Sequence, residues 1–369
     1  MTNGMSLMII QTTETTKSTI KEVILIKIFE DIFNYYRLKR RESDFSVGFF
    51  CENKFYFEYL KPYIFNKSKK QKVLVLGFEE LNFENENKII SYTFHTKFFR
   101  NLIFLTLRLK YLYSSTPDLN QSIFTKSKFS KCKYIYLQHS PVSLTMIYNS
   151  NAFDAFDAVQ AVNTFQFKEM KEIIIKKNLK SKVFKGRYLF LNNKVKNKYN
   201  GDSDLLIAPS WKSNFYRLNC HITLSELLSK NSINYELRPH PMSLIKGEVS
   251  LSDLKKLNIK YNIANAINLN DYKYLVSDWS GIFIEFAILT KRRVLLINTP
   301  KKILNKNYTD FTQEPIEIYL RNIIGKTYEV YELDKLVNEL KEKTNKFNKK
   351  DIISENENIQ KYIEKYFFI

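Results

Sequence analysis

The chain has 369 residues, with 58 Lys and Arg against 38 Asp and Glu, for a formal net charge of +20 at pH 7. With 44% hydrophobic and 15% aromatic residues it holds ample material for packed cores, which excludes global disorder. Only 8 Gly and 8 Pro exclude a collagen-like or low-complexity polymer. At roughly 100–200 residues per domain the length fits two domains, or three. The positive surplus favours anionic partners such as nucleotide phosphates, acidic lipid headgroups, a phosphate polymer or nucleic acid. Its alternative is compositional drift, since Lys, Asn, Ile, Phe and Tyr are all abundant.

Cys51, Cys132 and Cys220 are far apart and form no CxxC pair, so neither a disulfide framework nor a Cys-based zinc site is expected, and a cytoplasmic location follows. No signal peptide is expected: the apolar start 5–10 is short and lacks a basic flank. The uncharged run 134–153 contains Gln138, His139, Pro141 and several Ser, and so does not read as a membrane span. The expectation is a soluble protein, or one held at the inner membrane surface.

In chain order, residues 1–20 are polar and threonine-rich and read as a loose tail. Short β-type runs then alternate with helix-period stretches. Strands are expected over 45–50, 72–77, 88–93, 133–138 and 157–162, and again over 205–208, 234–238, 272–277 and 293–298. Most are continuous apolar runs, which suits strands buried on both faces of a parallel sheet. Helices are expected over 165–177, 221–230 and 282–289. The alternation argues for an α/β architecture of two doubly wound domains. The polar stretch 192–204, with Gly201, divides a domain at 21–195 from a second at 205–345. In the tail helix 346–369, Ile359, Tyr362, Ile363, Tyr366 and Phe367 share one face, a packing stripe or, with its Lys neighbours, a membrane anchor.

Ligands of parallel α/β sheets bind at the C-terminal ends of strands, so the residues just after each strand carry the functional reading. The run 134–138 ends in His139-Ser140-Pro141, where the imidazole is placed to act as a general base. After 205–208 come Ser210, Trp211 and Lys212, a hydroxyl and an ammonium suited to phosphate. Arg238 and His240 sit on a Pro-flanked turn, an anion clamp with small ordering cost. Finally, Ser277-Asp278 end a strand and a helix starts near Ser280-Gly281; its free N–H groups and dipole suit a diphosphate. Gly281 would let a ligand approach the backbone, and Glu285, one turn on, would reach ribose hydroxyls. Each has a plain structural counterpart: a turn histidine, a packed Trp, a helix cap.

Together, His-Ser-Pro after a mid-chain strand, then APSW, RPHP and SDWSGIFIEFA, resemble the CDP-glycerol (or CDP-ribitol) glycerophosphotransferases of teichoic acid and capsule synthesis. The resemblance covers roughly residues 100–300 and is strongest over 205–298. It implies a GT-B fold, with two domains facing a crevice and the C-terminal helix packing back on the first. It implies His139 as catalytic base, His240 engaging the transferred phosphate, and Ser280, Gly281 and the helix start holding the donor diphosphate with Glu285 at the acidic position. This chain departs from the pattern in having Ser140 where the family commonly has Gly, and Gly281 where it usually has a second hydroxyl; 185–189 is only faintly similar to its Gly-Xaa-Pro-Arg stretch.

The expected activity is transfer of a polyol phosphate from a CDP-linked donor to an acceptor hydroxyl, with catalytic His139 and His240 and donor-binding Ser210, Lys212, Arg238, Ser277, Asp278, Ser280, Gly281 and Glu285. No cofactor or metal is called for, because basic groups can balance phosphate charge. The expected partners are a nucleotide-activated donor, a glycan, lipid-linked or phosphopolymer acceptor, and an anionic membrane surface. The alternative within the fold is a glycosyltransferase using a nucleotide sugar, since the SDWSGIFIEFA segment is also similar to the diphosphate-binding helix of UDP-sugar enzymes. A nucleic-acid binder is disfavoured by the lack of a zinc-finger, RNP-like or helix-turn-helix signature.

Overall fold

A computed structural model describes residues 3–81, 83, 86–121, 124–127, 129–192, 203–264, 267–345 and 359–368. Most of the polar boundary stretch 192–204 lies outside these residues. The described strands are β1 (Val47–Cys51), β2 (Val73–Gly77), β3 (Ile89–Thr93), β4 (Tyr111–Ser114), β5 (Lys133–Tyr136), β6 (Ala158–Ala161), β7 (Lys182–Lys185), β8 (Ser203–Ile207), β9 (Tyr235–Leu237), β10 (Tyr272–Ser277), β11 (Val294–Ile297) and β12 (Gly325–Tyr328). They form a seven-stranded sheet of order β3-β2-β1-β4-β5-β6-β7 and a five-stranded sheet of order β12-β11-β10-β8-β9. The pairings β3-β2-β1-β4-β5 and β12-β11-β10-β8-β9 are all parallel, as the two-sided burial of the apolar runs predicts. The expected strands are present within two residues at each end; β4, β7 and β12 have no counterpart among them.

By contacts the chain divides into one unit of residues 1–137 with 153–158 and another of 138–152 with 159–369. In the first unit, Val47, Phe49, Cys51, Val73 and Val75 pack with Phe57, Leu60 and Ile64 of α2 (Lys54–Ser68). On the opposite sheet face Phe50 meets Phe78, Phe104 and Phe124 at ring distances of 4.6–5.0 Å. The stretch expected to be a loose tail instead opens the long helix α1 (Asn3–Arg41). No Pro or Gly interrupts residues 5–47, so nothing breaks the helix that starts from the apolar segment behind it. Its buried Asp31 accepts hydrogen bonds from the His95 and Thr96 N–H groups at 2.8 Å and caps α3 (Lys97–Thr106).

The second unit carries α4 (Thr164–Lys176), α5 (Leu189–Asn192), α6 (Cys220–Lys230), α7 (Pro241–Ile245), α8 (Leu251–Lys256), α9 (Ile282–Thr290), α10 (Ile316–Ile324), α11 (Leu333–Asn345) and a last helix α12 (359–366). The α12 stripe is a packing face: Ile359, Ile363 and Phe367 are buried, and Ile363 and Phe367 line a small apolar space with Ile284, Ala287, Ile288, Leu320 and Ile324. Phe367 also bridges Asn163, the Phe368 N–H reaches the Val162 carbonyl at 2.9 Å, and the Tyr366 ring lies 5.3 Å from that of Phe165, tilted at 59°. The C-terminal helix thus returns to the end of β6 and the start of α4, in the region expected as the first domain. Among the described residues no helix is long and apolar enough to cross a membrane. All three cysteines are buried free thiols, and burial raises each above its ordinary pKa.

Candidate functional site

All ten site residues singled out in the sequence fall in the second unit. Beyond β5 the chain is fixed by amide side chains before it presents His139. The Gln138 side chain donates to the Gln160 carbonyl at 2.8 Å, and its N–H to Gln160 Oε1 at 3.2 Å. Asn163, the N-cap of α4, donates to the Pro141 carbonyl, and Gln166 Nε2 donates to the carbonyls of Ser140 (3.1 Å) and Val142 (2.8 Å). Three backbone acceptors in a row are thereby satisfied, which fixes the loop at low cost.

Two buried carboxylates hold the next turn. Glu169 of α4 accepts from the Ser143 hydroxyl at 2.6 Å, the Leu144 N–H at 2.7 Å and the Thr145 hydroxyl at 3.0 Å. Glu317 of α10 accepts from the Ser143 N–H at 2.9 Å. Burial raises Glu169 to about 8 and Glu317 to about 7, despite hydrogen bonds that favour the ionised form.

Around His139, the Tyr148 hydroxyl lies 3.5 Å from Nε2 with the rings edge-on, and the Tyr188 hydroxyl lies 3.0 Å from the His139 carbonyl. The same Tyr188 hydroxyl donates to Glu285 Oε1 at 2.7 Å. Glu285 is 7% exposed and engaged inside the protein, where a ribose contact was expected. The helix α9 is almost entirely apolar, so its one carboxylate needs a buried partner, and Tyr188 supplies it.

His240 caps α7: its Nδ1 accepts from the Met242 N–H at 3.1 Å, which places the proton of the neutral ring on Nε2. Burial, with smaller contributions from the Lys302 ammonium, the Arg238 guanidinium and His139, lowers its pKa from 6.5 to about 3. At neutral pH His240 is therefore an uncharged hydrogen-bond donor. The Trp211 ring lies 6.4 Å from the His240 ring, and Lys302 Nζ lies 4.8 Å from the Trp211 centroid. His139, Arg238, His240 and Lys302 thus share one electrostatic neighbourhood.

Other expected ligands do structural work. Ser277 Oγ donates to the Ala208 carbonyl at 2.7 Å, tying β10 to the end of β8. Asp278 is fully buried; its Oδ1 accepts from the Ser210 and Trp279 N–H groups at 2.8 and 2.6 Å, and burial raises its pKa. Ser210 is itself buried, and Lys212 is exposed, its N–H donating to Glu248 Oε1 at 2.9 Å from a left-handed backbone at φ 64°. Arg321 of α10 braces the turn, donating to the carbonyls of Asp278 and Ile297 at 2.6 Å with its guanidinium 4.2 Å from the Trp279 centroid.

At the start of α9, Ser280 Oγ lies 3.5 Å from the Ile282 N–H, and Gly281 is the N-cap without a side-chain cap. A Cβ at Gly281 would fall 2.3 Å from Ser140 Oγ and 2.7 Å from Val142 Cγ1. The missing side chain makes room for the 140–142 loop, whereas the sequence suggested room for a ligand.

No protein-family model and no curated protein matches the chain by sequence. Solved structures do match. A variant of the wall teichoic acid polymerase TagF superimposes with a TM-score of 0.57 at 13% identity, over 98% of this chain and 94% of that one. A TagF variant soaked with CDPG gives 0.57 at 14% identity, over 96% and 92%. The UDP complex of S. aureus MnaA gives 0.50 at 10% identity, over 85% and 90%. The fold is GT-B. It is the fold that the motifs implied, and at these identities the likeness is one of fold.

Sequence reasoning passed over Lys302, Tyr188, Glu169 and Glu317. Lys302 follows β11 as the other candidates follow their strands, so the same rule reaches it. Glu169 falls at helical spacing with Phe165, Met170 and Ile173, and Glu317 with Leu320 and Ile324, an apolar face that marks both carboxylates as buried. Among the described residues no group of three or more His, Cys, Asp or Glu is arranged to hold a metal ion.

Proposed function

We propose that the chain is a transferase of bacterial cell-surface polymer synthesis that moves a polyol phosphate from CDP-glycerol or CDP-ribitol to an acceptor hydroxyl and releases CMP. The observation that carries this reading is the gathering of His139, Arg238 and His240 from two strand ends, those of β5 and β9, into one neighbourhood. The GT-B fold shared with a polymerase structure soaked with CDPG supports the donor class.

In this reaction the acceptor hydroxyl gives its proton to the His139 imidazole while its oxygen bonds to the distal phosphorus. The bond from that phosphorus to the bridging oxygen breaks, and its electron pair leaves with CMP. His240, neutral, donates its Nε2–H to a phosphate oxygen; Arg238 and the start of α9 balance the developing charge. Ser280 and Gly281 stand at that helix start, and Ser210, Ser277 and Asp278 shape the turn beneath it.

The test is incubation of pure protein with CDP-glycerol, CDP-ribitol and common nucleotide sugars, scoring nucleotide release and thermal shift. CMP release from a CDP-polyol supports the proposal. Turnover of a nucleotide sugar alone moves the chain to glycosyl transfer onto a capsule or lipooligosaccharide acceptor.

The +20 charge also supports a place on an anionic inner membrane face, where a basic surface holds headgroups and product. Exposed Leu25, Phe29 and Phe33 of α1, with Lys39, Arg40 and Arg41 ending the helix, add apolar and basic groups for that contact. Equal partitioning onto neutral and anionic vesicles would refute it.

A further inference from the structure

The cluster around His240 holds a cation that the proposed reaction has not yet used. Lys302 is 7% exposed, and its Nζ makes no ion pair with a described residue. Its Nζ stands over the face of Trp211, 4.8 Å from the centroid, and Trp211 itself lies beside His240. The segment that carries it is held firmly: the Leu304 N–H donates to the Met146 carbonyl at 2.9 Å, and Asn305 Nδ2 to the Thr145 carbonyl at 2.9 Å. Thr145 is also held by Glu169, which accepts from its hydroxyl at 3.0 Å and from the neighbouring Leu144 N–H at 2.7 Å, so loop and ammonium are placed together.

A buried ammonium without a paired carboxylate is costly, and the expense persists where a ligand repays it. A cation–π contact with Trp211 offsets only part of it. We propose that Lys302 supplies the fixed positive charge of the donor-phosphate site, with His240 beside it acting as an uncharged hydrogen-bond donor. The inference rests on the transferase reading for the identity of the phosphate, and on the geometry alone for the anion. Charge and hydrogen bonding are thereby divided between two neighbouring groups, which suits a phosphate that must be held and then released as a different species.

The groups that act on Lys302 are Asp278, Glu317 and Glu248, which favour its charged form, and Lys212, which opposes it. His240 feels the Lys302, Arg238 and His139 charges. Burial outweighs the carboxylates and lowers the ammonium to about 8. A site without anion therefore loses its charge in the mildly alkaline range, and a bound diphosphate restores it.

The experiment compares wild type, Lys302→Met and Lys302→Arg for binding of inorganic pyrophosphate, and of CDP-glycerol, between pH 6.5 and 9.5 at physiological ionic strength. Surface lysines contribute equally to all three proteins, so differences report on position 302. Wild-type affinity for pyrophosphate is expected to fall as pH passes about 8. Lys302→Met is expected to bind at least tenfold more weakly with no such limb, and Lys302→Arg to retain affinity with the limb moved out of the range. A merely structural lysine would alter the unfolding temperature without moving that limb. Wild-type-like pyrophosphate affinity in a folded Lys302→Met protein overturns the proposal. If that variant does not fold, an alkaline limb in Lys302→Arg unchanged from wild type overturns it equally. CDP-glycerol turnover that survives Lys302→Met at the wild-type rate removes Lys302 and leaves the transferase reading standing. Lys302-dependent pyrophosphate binding in a protein that turns over no CDP-linked donor supports the anion site and removes the transferase reading.

Discussion

Substitution of Gly281 by alanine separates two reasons for a glycine at the start of α9. The backbone there is right-handed helical, φ −58° and ψ −16°, so alanine is allowed and would gain about 0.4–1 kcal/mol by restricting the unfolded chain. Against this stands the added methyl, 2.3 Å from Ser140 Oγ and 2.7 Å from Val142 Cγ1. The serine oxygen can turn away about one bond, which leaves its Cβ at an ordinary 3.7 Å. Val142 is β-branched and 4% exposed, and cannot yield without moving the loop that Gln166 holds. Overpacking of this kind costs about 1–3 kcal/mol, so Gly281→Ala is expected to destabilise by about 1–2 kcal/mol net. Val142→Ala alone should cost about 2 kcal/mol through lost burial. The double variant should be more stable than the sum by about 1 kcal/mol or more, while Ser140→Gly should rescue little. Urea unfolding of the four proteins measures the cycle, with nucleotide-induced thermal shift as a second readout. Additivity within about 0.5 kcal/mol would refute the packing argument. Unchanged stability with lost nucleotide binding would return Gly281 to the role of a ligand-approach position.

Three further outcomes follow from the site and its supports. Because burial raises Glu169 and Glu317 to about 8 and about 7, the native state holds protons that the unfolded chain releases near 4.5. Their contribution is complete below that value and is lost as pH rises through 7–8, so Glu169→Gln should remove a decline on the order of 4 kcal/mol between pH 5 and 9. Equal slopes of urea-derived stability against pH would contradict this. His139→Ala should lower CDP-polyol turnover by about 10²–10⁴-fold while donor-induced thermal stabilisation persists; loss of donor binding would remove His139 as the base. Ile363→Ala, in the buried stripe of α12, should cost about 2–4 kcal/mol, and a change within about 0.5 kcal/mol would mean the stripe does not carry the packing assigned to it.

What the sequence made legible follows from where burial is two-sided. Val73–Gly77 and Val294–Ile297 are buried throughout, so their continuous apolar runs are unmistakable. The edge strands β7 (KVFK) and β12 (GKTY) pack on one side only and need little apolar content, which leaves no run to detect. β4 is central, yet its YLYS buries alternate residues and is too short for the alternation to register. In α1 the threonines suggested a tail, but propensity is a weak guide where no Gly or Pro breaks the chain.

The site shows the same division at finer grain. Strand ends can be read from pattern, so His139, Arg238 and His240 were identifiable by position, and the structure puts them in one neighbourhood. Depth cannot be read in the same way. Lys301 and Lys302 are adjacent and identical in type, yet the first is exposed and the second buried beside Trp211. Asp278 and Ser277 follow a strand as a ligand pair would, yet both point inward and hold turns together. The protonation state of His240 lies further still from the sequence, because burial sets it first and charges on separate chain segments, the Lys302 ammonium, the Arg238 guanidinium and His139, add to it. A motif fixes which groups stand at the end of a sheet. Whether each is a charge, a neutral donor or a brace depends on desolvation and on partners far away in sequence, and so on the fold itself.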